Sequence, residues 1–313
     1  MRATLVLLAC NVAFGQAGQP SPVIGMNNFI HATGNLEKTV AFYRDVFGLA
    51  QPAPPRPPNA AVPALIDAPG AQLQVQIFRI PGAPFGLELT NFGPVAGKAG
   101  QAQPFDPGAA MLRVCVRDLN PVLAALKKAG ATIVSRSADP ARPVLFRDPD
   151  GYMVAVEAAC SGAGGNVLDA EMAIVVGDLP ASLKFYRDLL GFDLSGNLDF
   201  IRDRDVDDIT GGRGDVTFRA VSGVVPGTKA RIGLVEFHGV PRTPFHPRIP
   251  DPGCPAIALR VTDLDGLLAR LKAAGVKVVS AGGVPAQFSA TIRNIFVEDP
   301  DGFKIELYQS SQP

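Results

Sequence analysis

The chain has 313 residues, enough for two domains with separate cores, and 47% of them are hydrophobic although Trp is absent. Its 29 basic and 29 acidic residues give a formal net charge of zero, and they form no basic cluster. This balance gives no electrostatic reason to bind nucleic acid or an anionic membrane, so we expect neither partner.

The chain begins with features of an export signal. Arg2 precedes the apolar run 3–9, and residues 13–15 offer a small-x-small cleavage site. We therefore expect residues 1–18 to be a signal peptide and the mature protein to be periplasmic or secreted. Two alternatives stay open: Cys10 could be the acylated residue of a lipoprotein, or the segment could be an N-terminal strand. No stretch of the sequence is long enough to span a bilayer.

Beyond that segment, the chain contains three cysteines, at positions 115, 160 and 254. An odd number of thiols at irregular spacing matches neither a disulfide framework nor a zinc pattern. Cys115 lies between two valines, which predicts a buried structural thiol.

A strand–helix–strands unit recurs four times along the chain. The opening strands are predicted at 29–33, 112–116, 172–176 and 257–261. The predicted helix N-caps are Asn35, Asp118, Asp178 and Asp263. The glycines suited to end these helices are Gly48, Gly130, Gly191 and Gly275. Pro-Asp-Gly at 149–151 and 300–302 predicts a hairpin turn between the last two strands of each half.

The two halves of the chain also repeat each other. Phe-Tyr-Arg-Asp at 42–45 recurs at 185–188, and Asp-Pro-Asp-Gly occurs near the end of both halves. A repeat of this length indicates whole domains, since solenoid units are much shorter. We predict two domains, 24–159 and 169–310, joined by a glycine-rich linker at 160–168.

This order of features resembles the vicinal oxygen chelate (VOC) superfamily, which includes glyoxalase I, extradiol dioxygenases and the bleomycin- and fosfomycin-resistance proteins. The resemblance is carried by the capped helix ending in Phe-Tyr-Arg-Asp-x-x-Gly and by the Asp-Pro-Asp-Gly strand, both present in each half. It implies an α+β fold of two tandem domains, each a pair of βαβββ modules with mixed, cavity-forming sheets. It implies no single activity, because the superfamily spans lyases, isomerases, dioxygenases and binding proteins.

In metal-binding members of this superfamily, each domain offers up to two His and two Glu ligands. The resemblance places the first-half positions at Asn28, Glu88, Met111 and Ala155. It places the second-half positions at Glu171, Glu236, Ala256 and Glu306, with Leu234 replacing Glu236 if the strand register shifts. All four positions that would be His hold another residue.

These substitutions make the two halves chemically different. Ala155 has no donor atom and the thioether of Met111 suits soft metals, so we expect no catalytic metal in the first half. Glu171, Glu236 and Glu306 would bring three carboxylates toward one cavity in the second half. There they could hold a divalent cation such as Mg²⁺, Mn²⁺ or Fe²⁺ weakly. Alternatively, Arg260 neutralises one of them, because it shares a strand face with Ala256.

The chain has three histidines, at positions 31, 238 and 246. His31 is three residues from Asn28, so strand alternation turns it toward the helix. His238 shares a strand face with Glu236, and His246 lies in a loop. A site that places either of these two beside Glu306 stays open.

Three functional hypotheses remain. The first is an exported protein that binds a small organic molecule in a sheet-lined cavity without metal. The second is a metal-dependent dioxygenase, lyase or isomerase acting through second-half carboxylates, with Glu306 as the anchoring ligand. The third is an interaction protein with filled cavities. A homodimer is compatible with each, and pairing of the units within or between chains is open. In the first two, we expect ligand or metal chemistry in the second domain.

Overall fold

The computed structural model describes residues 21–50, 59–136, 139, 141–158, 160–162, 164–212 and 214–311. The predicted signal peptide, including Cys10, lies outside these residues. Within them, no helix is both long enough and apolar enough to cross a membrane.

Four consecutive units make up the described chain. The first contains β1 (Val23–Ala32), α1 (Leu36–Phe47), α2 (Val62–Leu65), β2 (Gln74–Arg79) and β3 (Gly86–Asn91). The second contains β4 (Ala110–Val116), α3 (Asn120–Ala129), β5 (Thr132–Ile133), β6 (Val144–Arg147) and β7 (Met153–Glu157). The third contains β8 (Val167–Val175), α4 (Leu179–Leu183), which continues as the π-helix Lys184–Leu189, then β9 (Asp193–Ile201), α5 (Arg204–Ile209), β10 (Thr217–Val224) and β11 (Arg231–His238). The fourth contains β12 (Pro255–Val261), α6 (Leu264–Ala273), β13 (Ala286–Gln287), β14 (Ile292–Glu298) and β15 (Lys304–Ser310).

Three of the four predicted helix caps are confirmed. Asn35, Asp178 and Asp263 each accept a hydrogen bond from the backbone N–H three residues later. The prediction for Asp118 is wrong, because the residue three positions later is Pro121, which has no N–H to donate. The Asp118 carboxylate accepts from the Asn120 N–H instead, and the N-cap position of α3 is Leu119, whose side chain makes no capping hydrogen bond.

The strands form two sheets, and each sheet combines both halves of the chain. Sheet A has the strand order β13-β14-β15-β12-β1-β3-β2 and therefore joins the first and fourth units. Sheet B has the order β5-β6-β7-β4-β8-β11-β10-β9 and joins the second and third units. The central pairs β1–β12 and β4–β8 are antiparallel, and so are the predicted hairpins β6–β7 and β14–β15. The mixed-sheet α+β fold is thus confirmed, with each sheet shared between the two predicted domains.

The largest core combines one face of each sheet with the long helices. Tyr43 and Tyr186, the tyrosines of the repeated motif, are completely buried in it. The Tyr43 hydroxyl donates to Asp148 at 3.1 Å, and the Tyr186 hydroxyl donates to Asp299 at 2.9 Å. Each of these bonds ties the helix of one unit to the hairpin turn of the next unit. The two tyrosines of the motif therefore have a structural role.

Cys115 and Cys160 form a disulfide bond, so the expectation of a free thiol at Cys115 is wrong. Strand β7 runs parallel to β4 with Glu157 beside Cys115, and the chain leaving β7 therefore passes close to that cysteine. The two Cα atoms lie 6.0 Å apart, within the normal range for a disulfide. Cys254 is free and buried.

Candidate functional site

The face of sheet A opposite the long helices, which we call the cavity face, borders a cavity of about 950 Å³. Its lining comes from β1, β2 and β3 of the first unit and from β12, β14 and β15 of the fourth. The polar lining residues are Asn27, Asn28, Asn59, Arg79, Glu88, Asn294, Glu306 and Tyr308. The cavity is therefore built jointly by the first and last quarters of the chain.

A second, smaller pocket of about 50 Å³ adjoins this cavity, and we call it the inner pocket. Its walls are mostly apolar and include Ile30, Val62 and Phe296. Glu88 and Glu306 line both spaces. The two carboxyl groups therefore lie at the boundary between an open polar cavity and an apolar recess.

Strand alternation directs Glu88 into the cavity. Its neighbours Leu87 and Leu89 are completely buried on the helix side of sheet A, so Glu88 takes the opposite face. Glu88 lies beside Ile30 of the parallel strand β1. The Asn28 side chain, two residues before Ile30, donates its amide N–H to Glu88 at 2.6 Å.

Glu306 reaches the same place from the other half of the chain. It lies between the buried Ile305 and Leu307, and its carboxylate accepts a 2.6 Å hydrogen bond from the Asn294 amide. Burial, and after it the negative charge of Glu88, raises the pKa of Glu306 to about 7. The two carboxyl groups therefore occupy one site, since both line the cavity and the inner pocket.

Asn294 leaves one atom of this site unsatisfied. Its Nδ2 donates to Glu306, whereas its Oδ1 has no hydrogen-bond partner among the described residues, although Asn294 is only 2% exposed. A buried amide oxygen without a donor costs free energy. Asn294 could not be identified from the sequence, because its position beside the carboxylate depends on the register of β14 against β15.

The four family ligand positions on sheet A are Asn28, Glu88, Ala256 and Glu306. Grouping Asn28 and Glu88 with Met111 and Ala155 is wrong, because the last two lie on sheet B. Two carboxylates and one amide provide only oxygen donors, and Ala256 provides none. Such a set suits a hard cation with water completing its shell, whereas Zn²⁺ and Ni²⁺ also bind imidazole well.

Glu171 does not join Glu306, contrary to the expectation of three converging carboxylates. It lies on β8 of sheet B, opposite Arg113 of β4. It forms ion pairs with the buried Arg113 and, at 3.2 Å, with Arg231, while Arg113 also binds Glu157 at 3.0 Å. Glu171 is thus neutralised by arginines of its own sheet.

Glu236 faces the helices, so its assignment as the counterpart of Glu88 is wrong. It accepts a 2.8 Å hydrogen bond from the Leu179 N–H at the start of α4 and binds Arg219 at 2.8 Å. In the first unit, Glu88 lies beside Ile30, which is six residues before Leu36. The equivalent residue of the third unit is Ala173, six residues before Leu179, and its neighbour on β11 is Gly233. The alternative Leu234 is also wrong, since it is buried among core residues.

The corresponding face of sheet B is covered by side chains. Val206 and Ile209 of α5 pack there with Met111, and Ala155 lies against the same cluster. Arg142 holds α5 in place through ion pairs with Asp205 at 2.9 Å and Asp208 at 3.5 Å. Among the described residues, this face of sheet B is covered by packed side chains, whereas the cavity face of sheet A borders a large cavity.

The histidines lie away from Glu306. His31 faces the helices as predicted, and its Nε2 lies 2.6 Å from Asp148. Burial lowers the pKa of His31, but the charge and hydrogen bond of Asp148 outweigh it and raise the pKa overall. His238 contacts Phe200 on sheet B, and His246 packs against the last hairpin turn at Gly302. Neither of these two joins the cavity.

His31, Asp148 and Asp150 lie close enough together to hold a metal ion. However, the carboxylate oxygens already accept hydrogen bonds from Tyr43, Thr39 and three backbone N–H groups. Through these contacts the group joins β1 to the hairpin turn.

Arg260 lies beside Tyr308 in the neighbouring strand β15. Burial raises the pKa of Tyr308 to about 12, although the positive charge of Arg260 opposes that rise. The positive charge of Arg260 therefore acts on Tyr308, which lines the cavity. The prediction that Arg260 neutralises one of three converging carboxylates is wrong, because those carboxylates do not converge.

Comparisons with known proteins agree with this architecture. The model of the Glyoxalase/Bleomycin resistance protein/Dioxygenase superfamily matches residues 25–156 and 170–307. A probable lactoylglutathione lyase from Synechocystis sp. is 35% identical over 138 residues, which cover 44% of this chain and 92% of that protein. Glyoxalase I from Zea mays has a TM-score of 0.60 at 20% identity, over 91% of this chain and 92% of that chain. A putative dioxygenase from Bacillus subtilis has a TM-score of 0.56 at 13% identity, over 93% and 86%. At these identities the solved structures show a shared fold.

Proposed function

The chain belongs to the Glyoxalase/Bleomycin resistance protein/Dioxygenase superfamily, and on this premise we propose that it binds a small organic molecule in the cavity of sheet A. The observation that carries the proposal is a cavity of about 950 Å³ with Glu88 and Glu306 where it meets the inner pocket. Small-molecule sites are concave, mostly apolar, and contain a few convergent polar groups. The third hypothesis required cavities filled by side chains, whereas sheet A borders a large open cavity.

The binding experiment uses a fragment library and saturation-transfer NMR on the whole protein. Ile77 lines the cavity, so Ile77→Trp should obstruct it and abolish fragment binding. Ile133→Trp places the same ring on exposed β5 of sheet B and serves as the control that should retain binding. Absence of fragment binding to the unaltered protein, or binding that Ile77→Trp leaves intact, would overturn the proposal.

A second candidate is a divalent-metal enzyme of the superfamily, and one observation favours it. Glu88 and Glu306 occupy both Glu ligand positions of a single site, and a cation would relieve the repulsion between their charges. Asn28, Glu88 and Glu306 would hold the cation, which would polarise an oxygen atom of the ligand. Asn28 would also orient Glu88, and Asn294 would orient Glu306. Stoichiometric metal in protein expressed with Mn²⁺ and Fe²⁺, lost in Glu306→Ala, would establish this alternative.

We also propose that the protein is exported. The Cys115–Cys160 disulfide supports this, because disulfides persist in oxidising compartments. N-terminal sequencing of the exported protein should begin between residues 16 and 19. A cytoplasmic product that retains Met1 would refute export.

A further inference from the structure

We propose that the molecule bound in the cavity of sheet A is an organic amine whose ammonium group contacts Glu88 and Glu306. This inference rests on the proposed binding function and names the chemical class of the ligand. It follows from the hydrogen-bonding atoms that the boundary between cavity and inner pocket presents.

The polar atoms at this boundary are predominantly acceptors. Glu88 and Glu306 come from different halves of the chain and share one site. Next to Glu306, Asn294 lines the cavity, and its buried Oδ1 has no partner among the described residues. The Asn294 amide cannot satisfy itself by rotation, because its Nδ2 would then leave the Glu306 carboxylate. The unsatisfied Asn294 Oδ1 therefore requires a donor from a ligand.

An ammonium group meets this requirement better than other small groups. It carries three N–H donors, no acceptor and one positive charge. It can thus donate to both carboxylates and to the Asn294 Oδ1 while neutralising the charges that repel each other. A neutral alcohol offers one donor and no charge. A divalent cation would have no protein ligand at Ala256 and would need water there.

The inner pocket adds a requirement for the rest of the ligand. Its walls next to the two carboxyl groups are apolar, with Ile30, Val62 and Phe296 among them. A volume of about 50 Å³ has room for about three to five water-sized groups, since one water needs roughly 10–15 Å³ on this measure. A short alkyl branch beside the nitrogen would fill it, and the larger cavity would take the remainder of the molecule.

The test compares amines with neutral molecules of the same shape. We would titrate the whole protein with n-butylamine and benzylamine, then with 1-butanol and benzyl alcohol, following chemical shifts by NMR. The amines should bind at least about tenfold more tightly, because hydrogen bonds to charged groups are the stronger ones. Glu88→Gln, Glu306→Gln and Asn294→Leu should each weaken amine binding about tenfold. Glu37→Gln makes the same chemical change on the exposed surface of α1 and should have no effect.

The possible results separate the inference from the function on which it rests. If the alcohols bind as tightly as the amines, or if Glu306→Gln leaves amine affinity unchanged, the inference is wrong while cavity binding stands. If Mn²⁺ binds at micromolar concentration and the amines do not bind, a metal site replaces the amine site. If neither amines, alcohols nor library fragments bind, both the inference and the proposed function fail.

Discussion

Replacing Glu306 with Gln should change how the stability of the protein depends on pH. Gln keeps the size of the side chain and its contact with Asn294, and it removes the titrating proton. In the folded protein the pKa of Glu306 is raised to about 7 from an ordinary value of 4.5, first by burial and then by Glu88. The folded state therefore holds this proton over a pH range in which the unfolded chain has released it.

The sign and size of the effect follow from that difference. Between about pH 4.5 and pH 7 the folded state binds more protons than the unfolded state, so the wild-type free energy of unfolding falls as the pH rises. The gap between the two pKa values corresponds to about 3 kcal/mol. This is an upper limit because Glu306 still touches cavity solvent. The Gln variant has no titrating proton at this position, so its free energy of unfolding does not fall for this reason. Relative to wild type, that free energy should therefore rise by up to about 3 kcal/mol as the pH increases.

The assay is urea unfolding of wild type and variant at several pH values between about 4 and 8. Glu298→Gln is a control of opposite sign. Burial tends to raise the pKa of Glu298, but Lys304 and Lys277 lower it overall. That carboxylate stabilises the fold above its unfolded pKa, so its removal should cost stability toward high pH. A stability difference between Glu306→Gln and wild type that stays constant over this range would refute the reasoning.

Three further changes have defined outcomes. Reducing the Cys115–Cys160 disulfide, whose cysteines are 45 residues apart, should lower the free energy of unfolding by about 4 kcal/mol on the chain-entropy model; an unchanged urea midpoint in reducing buffer would contradict this. Arg113→Met leaves Glu171 without its buried partner and should cost about 3 kcal/mol, while fragment binding to sheet A persists; loss of that binding would show that the two sheets are not independent sites. Tyr186→Phe removes a hydroxyl that donates to a buried carboxyl and should cost about 2 kcal/mol in urea unfolding; no change would mean that the bond contributes nothing.

The local features of the fold could be predicted from the sequence because each depends on a few neighbouring residues. A side-chain cap requires a backbone N–H three positions later, and three of the four units provide it. The exception at Asp118 was also visible in the sequence, since Pro121 occupies the donor position. The hairpin turns were predicted for the same reason, because Pro-Asp-Gly determines its own backbone geometry.

The pairing of the four units could not be predicted in this way. Strands β1 and β8 open equivalent units, and nothing local to either specifies that β1 pairs with β12 while β8 pairs with β4. That choice depends on packing between surfaces far apart in the sequence. It decides the composition of the site, because it places Glu88 with Glu306 and separates both from Glu171.

Register explains the remaining differences. The resemblance to the superfamily singled out Glu88 and Glu306, which the structure brings to one cavity. It failed at Glu236, since the residue beside Ala173 is Gly233. The disulfide was missed because its formation depends on β7 lying parallel to β4.

The most direct test of the shared site is the titration of Glu306 itself, followed by carboxyl-carbon NMR in wild type and two variants. If Glu88 and Glu306 occupy one cavity, Glu88→Gln removes a neighbouring negative charge and should lower the pKa of Glu306 from its value of about 7. Glu171→Gln makes the same change on sheet B and should leave that pKa unaltered. An unchanged pKa in Glu88→Gln, or a lowered pKa in Glu171→Gln, would contradict the assembly of the site from the first and last units.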